Sequence, residues 1–243
     1  STTSASAVIT DSDVASGDLL WVREDVDLVS TSSEGIGISI QNLDLRIDGD
    51  VVANSYGVRM DSFENDTAYD YHLSLGETAN VTSNTRFALY LGTNLTNTDL
   101  AFGNISVTNA GEVTAFDRGA VLLFYANQAV FSNSGSVITH ATTSYFDAAV
   151  SIYSIKDSSF DNSGLIQRMH DTVGSSQHIA AVSFFGGVQS VSATNSGRII
   201  SSHIAFYSDA TVSETLANSG QIIGDVELSD TVGGTFKNFG FVD

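Results

Sequence analysis

The chain of 243 residues contains no cysteine and no proline. The absence of cysteine excludes a fold held together by disulfides, and it is compatible with bacterial export, where stray thiols are a liability. Only 9 residues are Lys or Arg against 28 Asp or Glu, so the formal net charge is -19 at pH 7. Because such a chain neutralises few phosphates, the charge argues against binding of nucleic acid or insertion into an anionic membrane.

Long apolar runs and helical patterns are also missing. The longest apolar run, AVLLFYA at 120–126, is seven residues, far below the ~20 residues that a membrane-spanning helix needs. No stretch shows the i, i+3, i+4 spacing of an amphipathic helix. Hydrophobic residues nevertheless make up 42% of the chain. The sequence therefore predicts a substantial core that is built from strands.

One turn phrase, Asn-x-Gly, occurs six times at spacings of 24, 29, 33, 23 and 20 residues, and each copy is followed within two residues by Val, Leu or Ile. Gly tolerates the positive φ of a tight turn, and Asn side chains stacked at one turn can hydrogen-bond to each other. We interpret the phrase as a structural turn ladder and not as a ligand site. The ladder comprises Asn109, Gly111, Asn133, Gly135, Asn162, Gly164, Asn195, Gly197, Asn218, Gly220, Asn238 and Gly240.

A second phrase, small-apolar-any-apolar, runs from Gly37 to Ala205 with an average spacing of 28 residues. It alternates with the turn phrase, one copy of each per period, so the two mark different sides of one repeating unit. The first apolar residue of each copy is predicted to form a core ladder. That ladder comprises Ile38, Val58, Leu89, Val121, Val150, Val182 and Phe206.

The alternation within each phrase is typical of strands, and short strands that recur with this period predict a parallel β-helix. We expect an all-β, single-stranded parallel β-helix (β-solenoid) of about eight coils of 20–33 residues. A β-propeller fits poorly because its blades run about 40 residues. Residues 1–243 are predicted to form one domain, with an acidic N-terminal coil or cap at 1–41 and repeated coils at 42–243.

Phrases of the form F-x-N-S-G-x-I that alternate with G/A-apolar-x-apolar resemble the passenger regions of bacterial autotransporters and related large repeat adhesins. The resemblance covers about residues 18–243. It implies a right-handed β-helix that is exported to the cell surface for adhesion or aggregation. The chain departs from that family in two ways, since it has no C-terminal translocator barrel and no GDSGS-type serine protease motif. It therefore resembles part of a passenger or a stand-alone secreted relative.

We accordingly expect a non-enzymatic structural protein, extracellular or at the bacterial cell surface, that acts in adhesion, aggregation or end-to-end filament assembly. Its expected partners are further copies of itself or surface molecules of a host or neighbouring cell, and no cofactor is expected. Because the last turn phrase, at Asn238, opens a repeat that the chain does not finish, open coil faces are the predicted filament contacts.

The alternative is a β-helix that binds or cleaves polysaccharides with paired carboxylates. Scarce Lys and Arg and the single tryptophan, Trp21, argue against it. Tyrosines and phenylalanines mostly fall within strand phrases, where packing explains them.

Two groups of residues have the chemistry of metal ligands. Calcium could be held by hard oxygen ligands, and its candidate ligands are Asp61, Glu64, Asp66 and Asp70. A transition metal could be held by imidazoles on neighbouring coils, and its candidate ligands are His170 and His203. The first group lacks an EF-hand loop and the second lacks a carboxylate at fixed spacing. Solvated acidic surface and exposed turn histidines are therefore the favoured interpretations.

Overall fold

The computed structural model describes residues 2–4, 8–40, 42–62, 70–93, 103–141, 148–170, 180–230 and 232–243. The described residues form 23 strands and one short 3-10 helix, Asp11–Asp13, and they contain no α-helix. Within the same ranges, no helix combines the length and the apolar character that spanning a membrane requires.

In chain order the strands are β1 (Thr2–Ser4), β2 (Leu19–Val22), β3 (Asp27–Ser30), β4 (Ile36–Ile38), β5 (Leu43–Ile47), β6 (Asp50–Ala53), β7 (Val58–Ser62), β8 (Tyr71–Leu75), β9 (Asn80–Ser83), β10 (Leu89–Thr93), β11 (Asn104–Asn109), β12 (Glu112–Ala115), β13 (Val121–Asn133), β14 (Ser136–Thr139), β15 (Val150–Asn162), β16 (Leu165–Arg168), β17 (Ala180–Phe185), β18 (Ser190–Asn195), β19 (Arg198–Ser208), β20 (Ser213–Asn218), β21 (Gln221–Glu227), β22 (Thr235–Asn238) and β23 (Phe241–Val242).

All strand pairs are parallel, and each strand pairs with its counterparts one coil before and one coil after it. The strands form three faces around a common core. The first face is β2-β5-β8-β11-β13-β15-β18-β20-β22. The second face is β1-β3-β6-β9-β12-β14-β16-β19-β21-β23. The third face is β4-β7-β10-β13-β15-β17-β19-β21. This arrangement confirms the predicted parallel β-helix.

Four long strands turn a corner and therefore contribute to two faces each. β13 and β15 pass from the third face to the first, whereas β19 and β21 pass from the second to the third. Register partners on the first face lie 20 residues apart at Asn218 and Asn238 and 34 apart at Tyr71 and Ile105. Coil length thus varies widely while the pairing of the strands is preserved.

The core is continuous from one coil to the next because alternate side chains of every face point inward. β5 and β8 show the pattern clearly, since their first, third and fifth residues are buried and the two between are exposed. On the second face Val81, Val113 and Val137 lie in one inward file, and Ile166 continues it. Each coil therefore buries its apolar residues against those of its two neighbours, which no single coil could do alone.

The predicted core ladder is present on the third face with one correction. Val58, Leu89, Val121, Val150, Val182 and Phe206 are successive register partners. Ile38 was predicted to begin this file, but that prediction is wrong because Ile38 pairs with Met60 and Ile36 pairs with Val58. Both isoleucines are buried, since a shift of two residues keeps the same side of the strand inward.

The N-terminal region predicted as a coil or cap, residues 1–41, contains a coil of the same construction as the rest. Its strands β2, β3 and β4 pair with β5, β6 and β7 on the three faces. The stacked coils therefore begin before residue 42.

Candidate functional site

The asparagines of the turn phrase bind each other. From Asn109 onward, each Nδ2 donates to the Oδ1 of the asparagine one coil later at 2.7 or 2.8 Å, which links Asn109, Asn133, Asn162, Asn195, Asn218 and Asn238. The Nδ2 of Asn162 lies 3.3 Å from the carbonyl oxygen of Arg198 in the next coil. The buried amide groups inside the stack thus bind each other, and the hydrogen bonds of the asparagines hold the turns of successive coils together.

The glycines of the same turn are required for a different reason from the one predicted. None of Gly111, Gly135, Gly164, Gly197, Gly220 and Gly240 adopts a positive φ. Instead, a Cβ on Gly164 would lie well under 3.0 Å from the carbonyl oxygen of Gly135 one coil earlier, a separation that real Cβ atoms do not show. The other five glycines meet a backbone oxygen of an earlier turn in the same way. The turns stack so closely that any side chain would collide with the backbone below it.

The calcium candidates are only partly within the described residues. Glu64 and Asp66 lie outside them. Asp61 is buried and pairs with Arg59 at 2.9 Å, and Asp70 accepts hydrogen bonds from the backbone and side-chain nitrogens of Asn104 at 3.0 and 2.9 Å. Both described carboxylates are therefore already held by protein donors.

The two histidine candidates, His170 and His203, are both exposed. The described residues contain no group of three or more His, Cys, Asp or Glu side chains that could hold a metal ion. The two histidines thus have no third ligand beside them in the described part of the chain.

A groove of about 400 Å³ lies on the outer side of the third face. We call it the aromatic groove. Its described lining residues are Tyr56, Arg86, Phe87, Tyr90, Arg118, Leu122, Phe124, Tyr125 and Tyr153. The lining combines aromatic rings with two guanidinium groups, in a chain that has only 9 Lys and Arg residues.

The rings of the aromatic groove form a stripe along the axis of the β-helix, with one ring or more from each coil. The ring centroids of Tyr56 and Tyr90 are 4.9 Å apart, those of Tyr90 and Phe124 are 4.5 Å apart, and those of Tyr153 and Phe185 are 5.2 Å apart. Phe124 and Tyr153 are direct register partners on β13 and β15. Phe185 lies beyond the lining of the groove and continues the stripe into a fifth coil. Because adjacent coils are about 4.8 Å apart, the stripe is roughly 20 Å long.

Two tyrosine hydroxyls of the groove, those of Tyr90 and Tyr125, remain protonated at neutral pH. Burial raises the pKa of Tyr90 to about 12, and the nearby Tyr56 and Asp61 contribute to the rise. Burial also raises the pKa of Tyr125 to about 12, together with the hydroxyl of Tyr153, whose oxygen is 3.4 Å from that of Tyr125. The hydroxyls of Tyr90 and Tyr125 can therefore donate as well as accept hydrogen bonds.

Arg59 borders the groove and is held in place from three sides. It pairs with Glu34 at 3.2 Å and with Asp61 at 2.9 Å, and its guanidinium lies 5.5 Å from the centre of the Tyr56 ring. Among the described residues no carboxylate forms an ion pair with Arg86. Arg86 is exposed at the groove and can bind an anionic group of a partner.

The corner beside the groove contains unusual backbone. Tyr125 and Ser154 have φ values of 50° and 52°, and Gly186 in the next coil has a φ of 72°. Such conformations cost non-glycine residues about 1–2 kcal/mol. At Gly186 a Cβ would also overlap the ring of Tyr153. One residue in the left-handed conformation, Tyr125 in β13 and Ser154 in β15, lets each strand turn from the third face to the first. Gly186 has no side chain and therefore leaves room for the ring of Tyr153.

The chain matches no protein-family model, no curated protein and no solved structure. The resemblance to autotransporter passengers therefore stays a prediction.

The aromatic groove was not predicted from the sequence, where its rings were explained by packing within strands. A signal was present, however. Tyr90 occupies the third position of the phrase Ala88-Leu89-Tyr90-Leu91, and alternation turns that position outward when the second and fourth point into the core. Leu89 and Leu91 are buried and Tyr90 is half-buried, as that alternation requires.

Proposed function

We propose that this protein is a non-enzymatic adhesion scaffold, carried on or secreted from a bacterial cell, that binds surface molecules of other cells through the aromatic groove. The observation that carries the proposal is the axial stripe of rings with Arg86 and Arg118 beside it. Aromatic and arginine side chains contribute most of the binding energy at protein surfaces that recognise partners.

The scaffold itself supports this role. The core and the hydrogen-bonded turn ladder run through successive coils, so the rings of the groove are presented on a preformed surface. A preformed site orders few side chains on binding, which lowers the entropic cost of association. A flank that repeats the same chemistry from coil to coil can also contact an extended partner along its length.

Adhesion of protein-coated beads tests the proposal. Beads that carry the wild-type protein should attach to bacterial or epithelial cells above the level of albumin-coated beads. The variant Arg86→Glu reverses a charge inside the groove, and we expect it to reduce attachment roughly tenfold, since hydrogen bonds to charged groups dominate such contacts.

The control is Arg198→Glu, which makes the same change of charge on the second face, where Arg198 is exposed. It should attach like the wild type. Attachment no better than albumin, or equal losses for the two variants, would show that the groove is not an adhesive surface.

Assembly into a filament stays a prediction. Negative-stain electron microscopy and light scattering over a range of protein concentrations test it directly. Rods that lengthen with concentration would support it, whereas single particles at all concentrations would contradict it.

A further inference from the structure

A cleft of about 720 Å³ lies on the outer side of the first face, away from the aromatic groove. We call it the tryptophan cleft. Its lining residues are Trp21, Arg23, Glu24, Asp25, Arg46, Asp48 and Thr78. Trp21 is the only tryptophan of the chain, and 52% of its surface is exposed. An indole that is half exposed beside two arginines requires an explanation that core packing does not provide.

The indole is fixed in position by its neighbours. Trp21 on β2 is the register partner of Arg46 on β5. The Trp21 Nε1 donates to Asp48 Oδ2 at 2.7 Å, and the Arg46 Nε donates to the same oxygen at 2.8 Å. Asp48 itself is largely buried. The hydrogen bond from Arg46, with the smaller contribution of Trp21, holds the pKa of Asp48 below its usual value, so its carboxylate anchors both donors at neutral pH.

Two guanidinium groups lie over the same indole. The central carbon of Arg46 is 5.2 Å from the ring centre, and that of Arg23 is 6.0 Å away. Each arginine faces its ion-pair partner with Nε, Arg46 with Asp48 at 2.8 Å and Arg23 with Asp25 at 3.5 Å. Among the described residues, no hydrogen bond joins the terminal amino groups of either arginine to a carboxylate. These amino groups are the part of the side chain that binds a carboxylate with two parallel hydrogen bonds.

We propose that the tryptophan cleft binds a carboxylated saccharide, with a uronate as the recognised unit. The indole offers an apolar surface for the C–H face of a sugar ring, and the terminal amino groups of Arg23 and Arg46 bind the carboxylate of that ring. Both features are needed, since the guanidinium groups select the negative charge and the indole selects the ring.

Other anions fit the cleft less well. Glu24 and Asp25 line it beside the arginines, so a ligand with several adjacent charges, such as a polyphosphate, meets repulsion that a single carboxylate on a neutral ring avoids.

There is also room for a longer ligand. A neighbouring groove of about 290 Å³ on the same face shares Arg46 and continues past Leu19, His72 and Thr108. Leu19 is 66% exposed and adds apolar surface. An oligosaccharide that is anchored at Arg46 can therefore extend over the next coils of the first face.

Fluorescence tests the site directly, because emission excited at the indole comes from Trp21 alone. The intact protein is titrated with a trigalacturonate, with the neutral trisaccharide of the same linkage, and with sodium acetate at matched ionic strength. We expect the trigalacturonate to change the emission saturably, with an affinity at least tenfold higher than that of either control ligand.

Three outcomes of this titration would overturn the proposal. Equal affinity for the neutral trisaccharide would mean that the carboxylate is not recognised. Equal affinity for acetate would mean that the sugar ring is not recognised. An emission spectrum that does not change with any of the three would mean that no saccharide reaches the indole.

Two variants test whether the ligand binds to Arg23 and Arg46. Arg46→Gln should lower the affinity for trigalacturonate roughly tenfold, but it also removes a donor to Asp48 and can disturb the fold. Arg23→Gln removes an exposed ion pair, with side-chain exposures of 65% and 75%, and the guanidinium 6.0 Å from the indole, but no donor to Asp48. It should give a loss of similar size. Arg198→Gln on the second face is the control with the same change of charge. Unchanged affinity in Arg23→Gln, or equal losses in Arg23→Gln and Arg198→Gln, would contradict the assignment.

This proposal does not rest on the adhesion proposal. The two sites lie on different faces and share no lining residue. Bead adhesion can fail while fluorescence shows binding, and the reverse result is equally distinguishable.

Discussion

Glu214 places a carboxyl group at a position that faces the core. It pairs in register with Val191 of the preceding coil, and the same inward file contains Ser158 and Ala129. Glu214 is buried, and its Oε2 accepts a hydrogen bond from the backbone nitrogen of Ser229 at 2.8 Å. Burial raises the pKa of Glu214, and the charge of Asp209 adds to the rise.

The raised pKa predicts how the variant Glu214→Gln changes with pH. The folded protein keeps Glu214 protonated to a higher pH than the unfolded chain does, so the associated stability is complete below the ordinary pKa of 4.5 and is lost as pH rises through the folded value. Glutamine does not titrate. The free energy of unfolding of the variant, relative to the wild type, should therefore increase between pH 5 and pH 8 in urea denaturation.

The matched control is Glu77→Gln, because Glu77 is exposed on a turn between β8 and β9. Its free energy of unfolding should stay within about 0.5 kcal/mol of the wild-type value, because substitutions at exposed positions have small effects. A constant difference between Glu214→Gln and the wild type would mean that Glu214 titrates alike in the folded and unfolded chains.

At the scale of structural elements, the turn ladder joins coils whose lengths differ. Asn162 is fully buried. It accepts from Asn133 and donates to Asn195, both at 2.7 Å. Every rung therefore depends on the rungs before and after it, and the ladder gives each coil one point of fixed register.

Replacement of a middle rung should be costly. Asn162→Ala removes the 2.7 Å acceptor of Asn133 Nδ2, which keeps only two carbonyl contacts at 3.3 Å. It also leaves the buried Oδ1 of Asn195 without its donor Asn162. The loss of a partner for a buried polar group costs about 1–3 kcal/mol. We expect the free energy of unfolding to fall by about 2–5 kcal/mol in chemical denaturation.

The comparison variant is Asn238→Ala, in the last rung. Asn238 is exposed, and its Oδ1 accepts from Asn218 at 2.8 Å and from the backbone nitrogen of Gly240 at 3.1 Å. Because water can reach this rung, its replacement should cost less than about 1 kcal/mol. Equal effects at Asn162 and Asn238 would mean that burial of the ladder does not contribute to its strength.

At the scale of the whole molecule, the dominant electrostatic feature is the excess of negative charge, -19 at pH 7. Four ion pairs join described residues, and two of them share Arg59. Like charges that are forced together by folding repel each other and destabilise the compact state. Repulsion among carboxylates should therefore outweigh these few attractive pairs.

Salt should consequently stabilise the protein. An increase from 20 to 300 mM NaCl screens the repulsion, and we expect Tm to rise by about 2–4 °C, which corresponds to about 1 kcal/mol in a chain of this size. Differential scanning calorimetry measures the shift. A fall in Tm would mean that the ion pairs dominate.

CaCl2 and MgCl2 at the same ionic strength serve as the comparison. Screening alone predicts equal shifts for the two salts. A larger rise with calcium would instead indicate a specific calcium site.

The sequence by itself determined the repeat, the strands and the side of each strand that faces the core. These properties follow from local patterns, because a turn phrase and a period of two recur in every coil. Even the error at Ile38 and Ile36 preserved the inward side, since alternation identifies a side of the strand and does not specify which residue pairs with which.

The tertiary structure decided which side chains meet across coils. Trp21 and Arg46 are 25 residues apart, whereas Tyr56 and Tyr90 are 34 apart, and both pairs are neighbours in space. Such contacts depend on register accumulated through coils of 20 to 34 residues, which no local pattern specifies. The same holds for the ladder glycines. Glycine is required there because a Cβ would collide with the backbone one coil away, and not because of its own φ. Local sequence thus determined the strands, the turn and the inward side of each coil. The stacking of coils of unequal length determined which residues meet at the two candidate binding sites.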